Sequence, residues 1–387
     1  MKKEYFRIKN NISNDIFNSE IVNKIENILI ELKTKINLIE KYELGEFNDL
    51  SNNFILLSLF KINEIVSTAQ IEGSNITTAE VENELLFNKY KKFNKLKDSL
   101  IEIKNSFELF EKINFILEKY SLSSRTFKEI HKILFKNLSQ SSLSANLGKF
   151  KTISNTIKNS ITNEIIFIPA TIDILHQELN HFEKFINKKN LSFKEIIINS
   201  GIMHAWFERI HPFLDGNGRI GRFLIPFYFI EQNILKDPFI MISYEIKKSK
   251  GKYYDALNSI NFTENYDEWL RYYFDILYIS IKKMNNFLDE INFWIDEIKS
   301  TLNESKELFI KKHSEYIARI LLKNRYLNIN ILENEFKKLL DRKILEKFPS
   351  PKKMNDFINE LKNVLNLELV KNKPITLRIK NKPKMII

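Results

Sequence analysis

The chain of 387 residues contains no cysteine, which excludes disulfide frameworks, thiolate metal sites and cysteine nucleophiles. Only eight glycines and eight prolines occur, so collagen-like and proline-rich low-complexity structures are excluded as well. The longest strongly apolar run, residues 223–230, is too short to span a bilayer, and the opening MKKEYFRIKN has no apolar signal-peptide core. The sequence therefore predicts a soluble, cytoplasmic protein with no membrane partner.

The residues that are present favour a folded, mainly α protein. Hydrophobic residues make up 43% of the chain and charged residues 28%, a balance that excludes a disordered chain. Apolar residues recur at helical spacing. Helices are predicted over residues 13–43, 50–72, 97–119, 123–137, 171–187, 191–210 and 217–232. A capping box at Thr77–Glu80 predicts the start of another helix, and β-branched and aromatic alternation over 147–170 predicts a hairpin.

The positive charge is concentrated near the C-terminal end. The formal net charge is +11, and residues 301–387 hold 20 basic against 10 acidic residues. This asymmetry indicates either an anionic partner such as DNA or a set of solvated lysines. Helices followed by a hairpin at 367–379 predict a winged-helix-like domain over residues 305–387, after a linker near 298–306. The expected organisation is a helical region at 1–110, a core at 111–290, and this basic domain.

Three of the eight glycines fall within HPFLDGNGRIGR, residues 211–222. The spacing G-x-G-x-x-G suits a dinucleotide-binding turn, but that turn needs a preceding strand, and residues 196–210 have helical periodicity. A phosphate loop is excluded because the chain has no G-x-x-x-x-G-K-[ST]. A tight turn between two helices instead presents backbone N–H groups to an anion.

Charged side chains complete this candidate anion site. His211 stands at the loop entrance as a candidate general base. Asp215 offers an oxygen ligand suited to Mg²⁺, and Arg219 and Arg222, spaced i, i+3, can face one anion. Together they predict a phosphoryl- or nucleotidyl-transfer site.

These residues resemble the Fic family, whose signature H-P-F-x-[DE]-G-N-G-R-x-x-R is met at every specified position by residues 211–222. The preceding His204–Ile210 helix is also similar, and the resemblance extends over roughly residues 50–280. It implies a Fic-type helical core with a small β-hairpin, residues 150–169, hereafter called the flap.

The resemblance implies transfer of AMP from ATP to a Ser, Thr or Tyr hydroxyl of a target protein. His211 would accept the hydroxyl proton, and Asp215 would hold Mg²⁺. The phosphates would be held by Gly216, Asn217 (through its side chain among other groups), Gly218, Arg219 and Arg222. Doc-type kinases similar to this family carry Lys at the position of Gly218, so AMP transfer is favoured over phosphate transfer.

The family's inhibitory pattern, [ST]-x-x-x-E-[GN], is met by residues 68–73, TAQIEG. On this resemblance Glu72 pairs with Arg222 and keeps it from the γ-phosphate. A glutamate near a helix C-terminus opposes the helix dipole, so an external cation is expected beside it. The alternative is that Glu72 is a solvated residue at a helix end.

The resemblance also implies that a target segment pairs with the edge of the flap. The flap departs from many relatives, which carry Arg where Lys151 stands and Pro-Pro where Pro169-Ala170 stands, and this puts its target contacts in question. Two other functions remain open: removal of AMP from a modified protein with a water positioned by Glu72, and DNA-binding regulation through the basic domain. A homodimer is a further expectation.

Overall fold

A computed structural model describes residues 4–8, 12–44, 54–81, 98–139, 146–158, 162–238, 240–323, 326–341, 351–372 and 375–378. The chain divides into two compact units, one of residues 1–46 and 58–284 and the other of residues 47–57 and 285–387. The predicted boundaries after residues 110 and 290 stay predictions.

The described chain is mainly helical, as predicted. The helices up to residue 303 are α1 (Asn14–Phe17), α2 (Glu20–Leu44), α3 (Phe54–Ile71), α4 (Asp98–Tyr120), α5 (Ser124–Phe135), α6 (Ile172–Ile186), α7 (Phe193–Ile210), α8 (Asn217–Glu231), α9 (Ile242–Lys248), α10 (Lys250–Thr263) and α11 (Asp267–Asn303). The predicted capping box is present, since Thr77 N–H donates to Glu80 Oε2 and Glu80 N–H donates to Thr77 Oγ1. The helix it opens lies outside the described residues beyond 81.

The site is built on α7 and α8, which pack against each other. Ser192 and Glu195 form a capping box that starts α7, and most side chains of both helices are buried. A helix that is apolar on all sides belongs in the interior of a domain. The two helices therefore hold the segment between them, residues 211–216, on a rigid frame. We call this segment the catalytic loop, after the role that the sequence predicts for His211.

The flap is shorter than predicted. Strand β1 (Ile157–Lys158) pairs antiparallel with β2 (Ile165–Phe167), and residues 150–156 form no strand. Next to β2, Glu4 forms a parallel bridge with Ile168, so the N-terminal segment lies beside this end of the flap.

The second unit contains α12 (Leu308–Lys312), α13 (Ser314–Lys323), β3 (Tyr326–Asn328), α14 (Ile329–Asp341), α15 (Pro351–Val364), β4 (Glu368–Asn372) and β5 (Ile375–Arg378). The predicted terminal hairpin is confirmed, and its strand β5 also pairs with β3, which gives an antiparallel sheet of order β3-β5-β4. Phe309, Phe336 and Phe357 meet edge to face in its core.

The linker predicted near 298–306 is corrected. Helix α11 continues without interruption to Asn303, so only the turn at 304–307 separates helical segments there. Charged and small polar residues indicated a linker, but on one face of a long helix they are also ordinary solvent-exposed positions. Over the described residues, no helix combines the length and apolarity that a membrane span requires.

Candidate active site

His211 terminates α7 in the left-handed conformation, with φ 50° and ψ 61°. Its Nδ1 lies 3.3 Å from the carbonyl oxygen of Glu208. A carbonyl can only accept, so Nδ1 carries the hydrogen and Nε2 keeps its lone pair. Burial, with a smaller contribution from the Lys151 ammonium, lowers the pKa of His211 to about 4. The imidazole is therefore neutral at pH 7 and can accept a proton at Nε2.

The side chain of Asn217 closes the catalytic loop. Its Oδ1 accepts the N–H of Phe213 at 2.9 Å, and its Nδ2 donates to the carbonyl of Phe213 at 2.8 Å. Only 1% of Asn217 is exposed. The loop thus engages both polar atoms of the amide, while the second hydrogen of Nδ2 and the backbone N–H take no part in these two bonds; donation from the Asn217 side chain to a phosphate stays a prediction.

The backbone at Gly216 and Gly218 suits an anion. Gly216 has φ 84°, and a Cβ there would collide with the ring of Phe135, so glycine is required on both counts. The first helical hydrogen bond of α8 runs from Ile220 N–H to Gly216. The amides of residues 217–219 precede it and face the N-terminal end of the helix, where an anion is stabilised.

The loop rests on aromatic rings. Phe213 is fully buried, with its ring centroid 4.4 Å from that of His131 and 5.1 Å from that of Phe150. His131 Nδ1 also accepts the N–H of Gly148. No motif in the sequence marks His131 as a residue that supports the loop.

Arg219 and Asp215 are paired with each other. Arg219 Nη2 lies 3.3 Å from Asp215 Oδ1, and Nη1 lies 3.0 Å from Glu102 on α4. The guanidinium also lies over the ring of Phe135, 4.4 Å from its centroid. Its Nε is buried without a hydrogen-bond partner among the described residues. Glu102 had no signal in the sequence, because it precedes Arg219 by 117 positions.

Arg222 is held by the end of α3. Its Nη2 lies 2.6 Å from Glu72 Oε1, its Nε donates to Thr68 Oγ1 at 2.7 Å, and Nη2 also donates to the Thr68 carbonyl at 3.3 Å. Residues four apart share one helix face, so the spacing of Thr68 and Glu72 lets both reach one guanidinium. The predicted pair of Glu72 with Arg222 is therefore present, and Thr68 joins it.

The pair is ionised on both sides. Burial opposes the charge of Glu72, but the adjacent Arg222 keeps its pKa below the ordinary value. Burial likewise opposes the charge of Arg222, which is 1% exposed, yet Glu72 raises its pKa. A buried guanidinium that lost its counterion would carry a large desolvation cost.

The C-terminal end of α3 is capped. Gly73 has φ 96°, and the N–H of Ser74 donates to the carbonyl of Ala69, as in a Schellman cap. Lys250 Nζ donates to the carbonyl of Ile71 at 2.6 Å. One turn before Thr68, the buried Glu64 accepts the N–H of Ser243 at 2.9 Å, which fastens α3 to α9. Burial raises the pKa of Glu64 to about 8.

Residues 121–229 match the family model described as the Fic/DOC family. The matched stretch contains the whole of 211–222. Over these residues the chain is similar to the Fic family. The Fic motif thus provides the catalytic loop and the first turns of α8, whereas Thr68 on α3 and Glu72, directly after the end of α3, lie outside the matched stretch.

Two curated relatives carry adenylyltransferase names. A probable protein adenylyltransferase of Aquifex aeolicus (strain VF5) is 38% identical over 63 residues, which is 16% of this chain and 17% of the relative. The protein adenylyltransferase Fic of Aedes aegypti is 32% identical over 93 residues, 24% of this chain and 17% of the relative. The chain thus spans about a sixth of the length of each.

Two solved structures share the fold. A Fic family protein from Desulfovibrio desulfuricans G20 has a TM-score of 0.57 at 14% identity, over 98% of this chain and all of that one. A Fic domain containing signaling protein from Bacteroides thetaiotaomicron VPI-5482 has a TM-score of 0.50 at 18% identity, over 69% and 97%.

Behind the Fic motif lies a buried polar cluster. His204 Nδ1 lies 2.9 Å from the carbonyl of Gly221, and its Nε2 lies 2.9 Å from the hydroxyl of Tyr253. Through these two contacts His204 braces α8. Glu208 Oε1 is buried with no hydrogen-bond partner in the described part of the chain, and burial raises the pKa of Glu208 to about 7.

The donor set at Asp215 fits Mg²⁺ that shares its ligands with a phosphate. The Asp215 side chain is 49% exposed and, among the described residues, contacts Arg219 and accepts the N–H of the adjacent Gly216. Mg²⁺ commonly takes one or two carboxylates together with waters and phosphate oxygens. In the described residues no group of three or more His, Asp or Glu could hold a metal ion by itself.

Proposed function

We propose that this protein transfers AMP from ATP to a hydroxyl side chain of a target protein, and that Glu72 inhibits the transfer by pairing with Arg222. The observation that carries the proposal is the state of His211. His211 ends α7 at the start of the catalytic loop, and its Nδ1 hydrogen is bound to the carbonyl of Glu208, so Nε2 keeps the lone pair that a general base needs. The adenylyltransferase names of the relatives support the reaction type.

The proposed reaction forms one bond and breaks one. The hydroxyl oxygen of the target attacks the α-phosphorus of ATP, its proton passes to His211 Nε2, and the bond between the α-phosphorus and the bridging oxygen breaks to release pyrophosphate. The amides of residues 217–219 stabilise the charge on the phosphates. Arg219 faces the leaving pyrophosphate once its contact with Asp215 is exchanged. Asp215 would hold Mg²⁺, which supplies neutralisation of phosphate charge.

In this proposal inhibition occurs because Glu72 and the γ-phosphate of ATP require the same guanidinium, that of Arg222. While Arg222 Nη2 and Nε are bound to Glu72 and Thr68, these donors are withheld from the γ-phosphate. A triphosphate would also meet the negative charge of Glu72 in the same place. Loss of the Glu72 carboxylate leaves the charge of the buried Arg222 uncompensated, and the γ-phosphate then provides the anion that pairs with it.

The test is Glu72→Gly, incubated with Mg²⁺, ATP and cell lysate, with intact-mass and label readouts. We expect label from α-³²P-ATP, but not γ-³²P-ATP, to enter protein about 5 to 150 times faster than with the parent chain, as a coupling of 1–3 kcal/mol gives. The matched control is Glu304→Gly, because Glu304 also stands one position after a helix end, at the terminus of α11. It should behave as the parent does.

Three results would contradict the proposal. Transfer of γ-label would indicate a kinase, and equal rates for Glu72→Gly and the parent would remove the inhibitory role. If the parent removes AMP from a modified protein and Glu72→Gly does not, Glu72 serves hydrolysis instead.

A second candidate function, DNA binding, is favoured by the C-terminal elements. The order α13, β3, α14, α15, β4, β5 with the sheet order β3-β5-β4 is the arrangement expected of a winged helix. Of the basic residues near the hairpin, Lys371 lies in β4 and Arg378 lies in β5, and others lie outside the described residues. The full chain should bind duplex DNA with an affinity that falls as salt rises. No binding at low salt would exclude this function.

A further inference from the structure

Lys151 is a buried lysine at the start of the flap. Only 4% of it is exposed, and in the described chain its partners are neutral. Its Nζ donates to Asn155 Oδ1 at 3.0 Å and to the carbonyl of Ile210 at 3.3 Å. Burial lowers its pKa to about 8, so it remains mostly charged at pH 7. A buried charge without a carboxylate is costly, which calls for a reason for its position.

The contacts of Lys151 bracket His211. Nζ binds the carbonyl of Ile210, directly before His211, and the backbone N–H of Lys151 donates to the carbonyl of Pro212, directly after it, at 2.9 Å. Asn155, the other partner of Nζ, donates to the carbonyl of Phe213 at 3.4 Å. His211 has a left-handed backbone, a conformation that a non-glycine residue keeps only when its surroundings fix it.

We propose that Lys151 is a positioning residue for His211. The contacts of Lys151 hold the backbone on both sides of this base and join the start of the flap to the catalytic loop. The inference rests on the proposed function, because it takes His211 as the general base. Strand β1 begins six residues after Lys151, so the segment that would receive a target is continuous with the clamp.

The charge of Lys151 should affect the pKa of His211, which a purely structural contact would leave unchanged. Burial is the largest influence on His211, and the Lys151 ammonium adds to it by disfavouring the imidazolium. The carboxylates of Glu72 and Asp215 act in the opposite direction. Removal of the ammonium should therefore raise the pKa of His211, whereas replacement by another cation should leave it low.

The experiment compares Lys151→Met and Lys151→Arg in the active Glu72→Gly chain. Lys149→Met is the matched control, because Lys149 is exposed two positions earlier. We expect Lys151→Met to lower kcat about 10- to 100-fold, as a misplaced base does, with KM for ATP unchanged. The acid limb of the pH–rate profile and the NMR titration of the His211 ring should both move to higher pH. Lys151→Arg should retain the activity and the low pKa.

The inference would be overturned if Lys151→Met kept the kcat of the Glu72→Gly chain, or if the pKa of His211 did not change. Should Lys151→Met fail to fold, Asn155→Ala removes the side chain that joins Nζ to Phe213 and should lower kcat in the same direction; parental kcat in Asn155→Ala would then overturn it. Failure of the proposed function is distinguishable, because Glu72→Gly alone would then transfer no AMP, whereas the NMR titration still reports on Lys151.

Discussion

The catalytic loop and the end of α3 meet at Arg222 but are held in different ways. The loop is fixed largely from within, by the two hydrogen bonds of Asn217 to Phe213 and by the burial of Phe213. Glu72 reaches the site from 150 positions away in sequence and stays one-third exposed. The difference indicates that the loop keeps its conformation by its own contacts, so Glu72 can move away from Arg222 without disrupting the loop.

Replacement of His211 tests the loop half of this comparison and should have the largest effect. In the Glu72→Gly chain, His211→Ala should lower AMP transfer about 10²- to 10⁴-fold, because the proposed general base for the hydroxyl proton is lost. Label incorporation measures it. His176→Ala, at an exposed histidine of α6, is the control and should retain the rate. Transfer at the undiminished rate by His211→Ala would break the assignment.

Gly216→Ala tests whether the loop is as rigid as its hydrogen bonds indicate. The positive φ alone should cost about 1–3 kcal/mol, and the collision of Cβ with Phe135 adds to this. We expect a lower Tm and little transfer. Gly251→Ala is the matched control: the added Cβ meets open space in α10, so stability should rise by about 0.4–1 kcal/mol. An unchanged Tm for Gly216→Ala would show that the loop can rearrange.

Thr68→Val sharpens the inhibitor half, with Glu72 in place. Loss of the bond from Arg222 Nε to Thr68 Oγ1 should raise basal transfer about 2- to 12-fold, the equivalent of 0.5–1.5 kcal/mol. The effect should be smaller than that of Glu72→Gly, because the ion pair remains. Thr68→Ser keeps the hydroxyl and should keep the low basal rate; if both variants are equally active, the hydroxyl has no part in inhibition.

Glu64→Gln should have the smallest effect on transfer and a pH-dependent effect on stability. The folded-state pKa of Glu64 is raised from 4.5 to about 8, so its contribution to stability is present below pH 4.5 and is lost as pH rises to about 8. Glutamine does not ionise. The Tm of Glu64→Gln relative to the parent should therefore rise between pH 5 and 8.5, by about 2–4 °C per kcal/mol relieved. A constant difference would mean that Glu64 does not titrate in this range.

The sequence was informative where the determinants are local. The Fic motif, the capping box at Thr77–Glu80 and the terminal hairpin each depend on residues a few positions apart, and the structure has all three. The pairing of Glu72 with Arg222 was predictable only because a family pattern marks residues 68–73.

Contacts between distant segments could not be predicted. Glu102 reaches Arg219, and Lys151 reaches Ile210, through the packing of α4 and the flap start against the loop, which no periodicity encodes. The use of the Asn217 amide to close the loop could not be predicted either, because residue type shows what a side chain can bond, whereas the local geometry decides what it does bond.

Gly218 carries a consequence of its own. A Cβ at this position would lie 2.7 Å from Glu72 Oε1 and 3.1 Å from Arg222 Nη1. A bulkier residue at position 218 would therefore occupy the space that the Glu72 carboxylate fills, and the two cannot be present together in this arrangement. Among sequences with this motif, variation at positions 72 and 218 should be correlated, and a substitution of Gly218 alone would be enough to displace Glu72 from Arg222.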